Sequence, residues 1–209
     1  MLKPRGSTPT KLVSVQIAED SLGGYCAPSY AVQQWSAAAF VGQIVAPLEF
    51  IIAQAALQQG WAVVIPDHEG PNGAFAAGPL AGRITLDGIR AARDFAPMRL
   101  DPQTRIGMYG YSGGAIATGH AAELHQSYAP DLNIVAAAEG GVPADFGPLL
   151  NIGNGQVWAG MIMAAVLGLA REYPNFATLL NRDLDLLGKA FQRSKAGCAC
   201  STTRDCSPS

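Results

Sequence analysis

The segment Gly110-Tyr111-Ser112-Gly113-Gly114 constrains this chain most, because it lies between a run that reads as a strand, Arg105 to Tyr109, and an alanine-rich run that reads as a helix, Ala115 to Tyr128. A Gly-x-Ser-x-Gly pattern in that context predicts a sharp strand-to-helix turn that lifts the serine hydroxyl above the edge of a sheet. The flanking glycines are required because side chains two residues to either side would collide with the neighbouring strand and helix. Such a turn makes Ser112 a candidate nucleophile. It also aims the backbone N–H of Gly113 at the carbonyl oxygen of a bound ester, where it would stabilise a tetrahedral oxyanion. The sequence disfavours a phosphate loop, since no Gly-Lys-Ser/Thr follows and Gly-x-Gly-x-x-Gly is absent.

The rest of the chain reads as alternating strands and helices. Val13, Val15 and Ile17 alternate with Ser14 and Gln16, the period of a half-buried strand, placed near a sheet edge. Leu48 to Gln59 reads as a helix with Phe50, Ile51, Ala55 and Leu57 on one face, opened by Pro47 and closed by Gly60. Trp61 to Ile65 is a short continuous apolar run ending at Pro66-Asp67, as in a strand buried on both faces of a parallel sheet. A helix over Thr85 to Phe95 sets Leu86, Ile89 and Ala92 at helical spacing, and Ile134 to Ala138 reads as a further buried strand. Strand, helix, strand order with short connections predicts an α/β fold, a mostly parallel sheet with helices on both faces.

Beyond Val142 the pattern changes to helical patches without a strand. The expected organisation is a core over residues 1–142, the start of a helical cap over 143–196, and an aberrant tail over 197–209. In the cap, Trp158, Met161, Ile162, Val166 and Leu169 form an apolar stripe that reads as helix packing in preference to a lipid-contacting surface.

Composition narrows the partners. With 14% charged residues and a formal net charge of -2, no basic field exists to hold nucleic acid or anionic headgroups. The longest apolar stretch, Val157 to Ala170, is shorter than the ~18 residues of a membrane-spanning helix. No basic-then-apolar leader is visible at Met1 to Ser7. Cys26 stands alone, and Cys198, Cys200 and Cys206 crowd the last twelve residues without a recognisable disulfide or zinc spacing. No metal or cofactor is expected.

Several segments in order resemble the secretory lipase family of fungi and actinobacteria: Cys26-Ala27-Pro28-Ser29-Tyr30, Gly60 through Pro71 with its Asp67-His68-Glu69-Gly70, Thr85 through Ala91, and the turn at Ser112 with its helix. The resemblance spans Val13 to Leu187. It implies an α/β-hydrolase with a helical cap, acting on triacylglycerols and related esters outside the cell or at its envelope; with no leader visible, a cytoplasmic placement stays open. It also implies an oxyanion hole shared by Gly113 and Asp67. A carboxyl group donates to an oxyanion only when protonated, so Asp67 would need a raised pKa or would act through its backbone N–H.

Serine activation needs a base within hydrogen-bond reach, and in this fold the acid and histidine follow the serine in chain order. The three histidines are His68, His120 and His125. His120 lies ~12 Å along the helix from Ser112, too far for proton transfer; His68 is placed in the right neighbourhood but is an unusual base. Asp131, Asp145, Asp183 and Asp185 follow the serine with no histidine to orient. After Lys195 the sequence departs from the family pattern. The reading expects a member whose last strands, acid and histidine are missing and whose turnover is impaired, the alternative being a catalytically inactive remnant or a lipid-binding protein. It further expects an unpaired sheet edge after the Ile134 strand and poor solubility.

Overall fold

The computed structural model describes residues 1–6, 8–33, 45–153, 155–156 and 159–195. Along the chain run β1 (Lys11–Gln16), α1 (Pro28–Ala31), α2 (Val45–Gln58), β2 (Ala62–Val64), α3 (Gly78–Asp94), β3 (Arg105–Tyr111), α4 (Gly113–Tyr128) and β4 (Ile134–Gly140). Four helices follow: α5 (Phe146–Gly153), α6 (Ala159–Glu172), α7 (Pro174–Asp183) and α8 (Leu186–Lys195). The strands form one parallel sheet in the order β2-β1-β3-β4.

The period of two in β1 sorts its residues between the two faces. On one face Leu12 joins Ala62, Val64, Ile106 and Met108 beneath Leu86, Ile89 and Ala92 of α3 and Ala121 of α4. On the other, Val15, Ile17 and Val63 pack under Ala31 of α1 and Ala53 and Ala56 of α2. Leu12, Ile17, Leu86, Ile89 and Ile106 are fully buried, each contributing about 1.5 to 3 kcal/mol. Helices α3 and α4 approach closely because Gly78 and Gly82 of α3 lie against His120 and the backbone of Ala121.

Two strand placements differ from the sequence reading. β1 is central, hydrogen-bonded to β2 on one side and β3 on the other. Its polar positions misled the reading: Ser14 and Gln16 are fully buried, because Gln16 donates to the Ser14 hydroxyl at 2.5 Å and accepts from the Thr118 hydroxyl of α4 at 2.8 Å. A closed hydrogen-bond network lets polar residues occupy a core face without the cost of an unmet donor. β4, expected to be buried, is exposed over most of its length, with Val135 at 48%. Among the described residues it pairs with β3 alone.

The buried face of α2 carries Ala53 and Ala56, while Ile51 is 59% exposed. Cys26 is buried and disulfide-bonded. In α6 the most buried residues are Ala165, Leu167 and Gly168, with Ala165 and Leu167 packed on Leu22 and Phe75; Trp158 and the 197–209 tail lie outside the described residues. Among the described residues, no helix is long and apolar enough to cross a membrane.

Candidate active site

Parallel sheets bind ligands at the carboxyl ends of their strands, where the strand order reverses. In the order β2-β1-β3-β4 the reversal falls between β1 and β3, so the loops leaving those two strands frame the site. Ser112 leaves β3. It has φ 52 and ψ -120, a left-handed backbone that a serine adopts only when its surroundings impose it. Its N–H donates to the Gly140 carbonyl at 2.9 Å and its own carbonyl accepts from Ala115 at 2.9 Å, tying the turn to β4 and to the first turn of α4. The sequence explains the strain: a Cβ on Gly110 would strike the Gly114 carbonyl, and one on Gly114 would strike the Gln16 carbonyl of β1. Thr118 reinforces the joint by sharing its hydroxyl hydrogen between Gln16 and the Gly114 carbonyl at 3.0 Å.

Gly113 is the first residue of α4, so its N–H is among those the helix cannot satisfy, and the positive end of the helix dipole points the same way. The side chain facing it is Asp20. A Cβ placed on Gly113 would fall against Asp20 Oδ1, and that oxygen is buried with no hydrogen-bond partner. Asp20 stands just past the end of β1 at φ 44, again a strained position for a residue other than glycine. Burial pushes its pKa from 3.8 up to about 6.

Asp67, expected beside Gly113, is engaged elsewhere: its carboxylate accepts from the Ser29 N–H at 2.7 Å and from the Ser29 hydroxyl at 2.5 Å. The reason is strand order. Asp67 follows β2, which β1 separates from β3, so the loop after β1 takes the place next to the serine. Its neighbour His68 is 2% exposed and donates from Nε2 to the Ile17 carbonyl at 2.9 Å; burial holds its pKa below 6.5. His120 Nδ1 faces Glu123 at 3.2 Å, and His125 Nε2 donates to the Leu132 carbonyl at 2.8 Å. Of the carboxylates after the serine, Asp131 is held by Arg90 and Arg93, Asp183 pairs with Arg182, and Asp145 and Asp185 accept the N–H groups of Gly147 and Gly188.

The sequence reading missed Asp20 and the carboxyl cluster around it. Burial pushes Glu19 up to about 8, helped by the charges of Asp67 and Asp20. Burial also drives Glu69 well above its ordinary value, with Glu19 and Asp20 adding to it. Glu49 of α2, which accepts the Ala18 N–H at 2.8 Å, is raised by its burial too. These groups bind protons more tightly folded than unfolded, so their contribution to stability is full below the ordinary values of 3.8 and 4.5 and is lost as pH rises from there through about 6 for Asp20 and about 8 for Glu19. At about 1.4 kcal/mol per shifted unit the loss is several kcal/mol. Calorimetry should show the melting temperature falling between pH 5 and pH 9, with a smaller fall in Glu19→Gln; a flat profile would contradict the burial of charge-bearing carboxyls.

A family-wide sequence profile described as secretory lipase matches residues 36–206. Lipase A of Arthroderma benhamiae is 42% identical over 182 residues, covering 86% of this chain and 39% of that protein. A secreted triacylglycerol lipase of Malassezia furfur is 39% identical over 173 residues, covering 83% and 45%. The crystal structure of Candida antarctica lipase A in its closed state superposes with a TM-score of 0.81 at 37% identity, covering 93% of this chain and 44% of that one. The chain thus spans about two fifths of the length of the curated relatives it matches. Fold, elbow and matched sequence agree, and the chain belongs to the secretory lipase family.

Proposed function

We propose that this chain supplies the nucleophile and oxyanion hole of a serine ester hydrolase of the triacylglycerol lipase type. The observation that carries the reading is the meeting of Ser112 at φ 52 with the unpartnered Asp20 Oδ1 against Gly113. Ser112 Oγ attacks the ester carbonyl as its proton passes to water; collapse of the tetrahedral intermediate breaks the ester C–O bond, the alcohol leaves with a proton from water, and a second water hydrolyses the acyl group from Ser112. The developing oxyanion receives the Gly113 N–H and, from the neutral acid form, the Asp20 O–H, in place of the Asp67 contribution that the resemblance implied. Residues 1–142 form the core of this hydrolase, and 143–196 the cap that screens the acyl chain. The names of the relatives, secreted triacylglycerol lipases among them, support a lipid or ester substrate and a place of action outside the cell.

A second reading, a lipid-binding protein with little turnover, is favoured by the three histidines, each bonded away from Ser112. Without a base, binding and an oxyanion hole alone leave about 10³ to 10⁴ over the uncatalysed rate. Fatty-acid release from emulsified triacylglycerol, measured against Ser112→Ala at equal adsorption to the emulsion, separates the two. Release that exceeds the alanine variant supports the hydrolase; equal release with retained adsorption supports the binder.

A further inference from the structure

The cap reaches the loops of the site through apolar packing of α6 on Leu22 and Phe75 and through one charged side chain. Arg171, near the end of α6, extends Nη1 to the Leu22 carbonyl at 2.6 Å, the Asn72 carbonyl at 2.7 Å and the Gly73 carbonyl at 3.2 Å. Leu22 belongs to the loop after β1 that carries Asp20; Asn72 and Gly73 belong to the loop after β2 that carries Glu69. Three positions next to these contacts leave no slack. Gly73 sits at φ 55 with the Leu22 carbonyl and Arg171 against it, Gly168 of α6 rests on the backbone of Phe75, and Phe75 in turn lies against Gly113. The Glu69 carboxyl lies near the backbone N–H groups of Asp20 and Ser21 without a well-formed hydrogen bond to them. The two loops are therefore stacked at the site, and a guanidinium from the cap ties them together.

We propose that Arg171 is a positioning residue for the ester hydrolysis site, holding the Asp20 turn against Gly113 by bonding both loops from the cap. This inference rests on the proposed hydrolase reading for its effect on rate, though not for its effect on Asp20 itself. The three carbonyls converge on the single nitrogen Nη1, and the planar guanidinium fixes the direction of its two N–H bonds, where a lysine ammonium, a compact charge on a flexible stem, would hold the loops less rigidly. The charged groups that face Asp20 are Glu19 beside it, Glu69 from the loop after β2 and Glu49 from α2, while Asp67 faces Glu19. Arg171 faces Glu69 from the cap.

The test uses the full 209-residue chain and two readouts. In Arg171→Ala the carbon-13 titration of the Asp20 carboxyl should move from about 6 toward 3.8, because a released loop returns the carboxyl to water, and Arg171→Lys should recover part of the shift. Ser112-dependent hydrolysis of an activated ester should fall about tenfold in Arg171→Ala and fall no further when Arg171→Ala is added to Asp20→Ala, since the donor it positions is then gone. An unmoved Asp20 titration in folded Arg171→Ala, or independent and multiplying losses in the double variant, would overturn the proposal. If Arg171→Ala does not fold, Arg171→Lys carries the same titration test. If wild type hydrolyses no faster than Ser112→Ala, the hydrolase reading fails by itself, while the titration still decides the role of Arg171.

Discussion

Replacing Asp20 with alanine is expected to lower Ser112-dependent ester turnover at pH 5, where the carboxyl is mostly neutral, by about 10² to 10³-fold, the usual cost of losing one oxyanion-hole donor. Asp20→Asn should retain most of the rate, because the amide keeps a donor of nearly the same shape. The two variants also separate charge from geometry. Asp20 donates only when neutral, and with its pKa held near 6 by burial, roughly one molecule in ten carries the donor at pH 7. The wild-type rate per reactive serine should decline as pH rises through 6, whereas Asp20→Asn should show no such limb. Initial rates with a soluble activated ester from pH 5 to pH 8 check both points. A wild-type loss from Asp20→Ala smaller than threefold would assign the oxyanion contact elsewhere, and Asp67→Ala is the direct comparison.

Gly114→Ala should cost the fold about 3 kcal/mol or more, at the upper end of what overpacking does. The new Cβ would have to occupy the position of the Gln16 backbone carbonyl, and Gln16 lies in β1, paired on both sides and bonded to Thr118. Neither the central strand nor the first turn of α4 can give way without breaking sheet or helix hydrogen bonds. Gly107→Ala is the matched control: it lies in β3, and a Cβ there meets nothing within 4 Å. It should be neutral or slightly stabilising, since alanine restricts the unfolded chain. Urea melts of the two variants should diverge accordingly, and equal stabilities would mean that the elbow is looser than its contacts indicate.

The elbow was legible in the sequence because its chemistry is local: the spacing of Gly110, Gly113 and Gly114 around Ser112 specifies a backbone that few other residues permit, and the strand and helix on either side follow from apolar periodicity. Helix α3 was legible for the same reason, with Leu86, Ile89 and Ala92 all fully buried as spaced. Strand order was not. Ser14 and Gln16 carry the polar alternation of a half-exposed strand, and only a partner 102 residues away, Thr118, turns that pattern into a core network. Misplacing β1 hid Asp20, because the residue beside a nucleophile is chosen by which strand neighbours β3, a long-range fact. The doubly wound order 2-1-3-4 would have been the one available clue, since it sets the end of β1 next to the end of β3. The apolar composition of β4 points to burial, yet composition cannot say what lies on each side of a strand; in the described residues it is the exposed edge.

The proposed role of Ser112 as a nucleophile held over an oxyanion hole predicts a covalent adduct at its hydroxyl. Exposure of the folded chain to a fluorophosphonate, followed by peptide mapping in the mass spectrometer, tests it most directly. The adduct should fall on Ser112, vanish in Ser112→Ala, and form more slowly in Asp20→Ala. Absence of an adduct on the folded protein, or its appearance on Ser29 or Ser21 with Ser112 unmodified, would contradict the account.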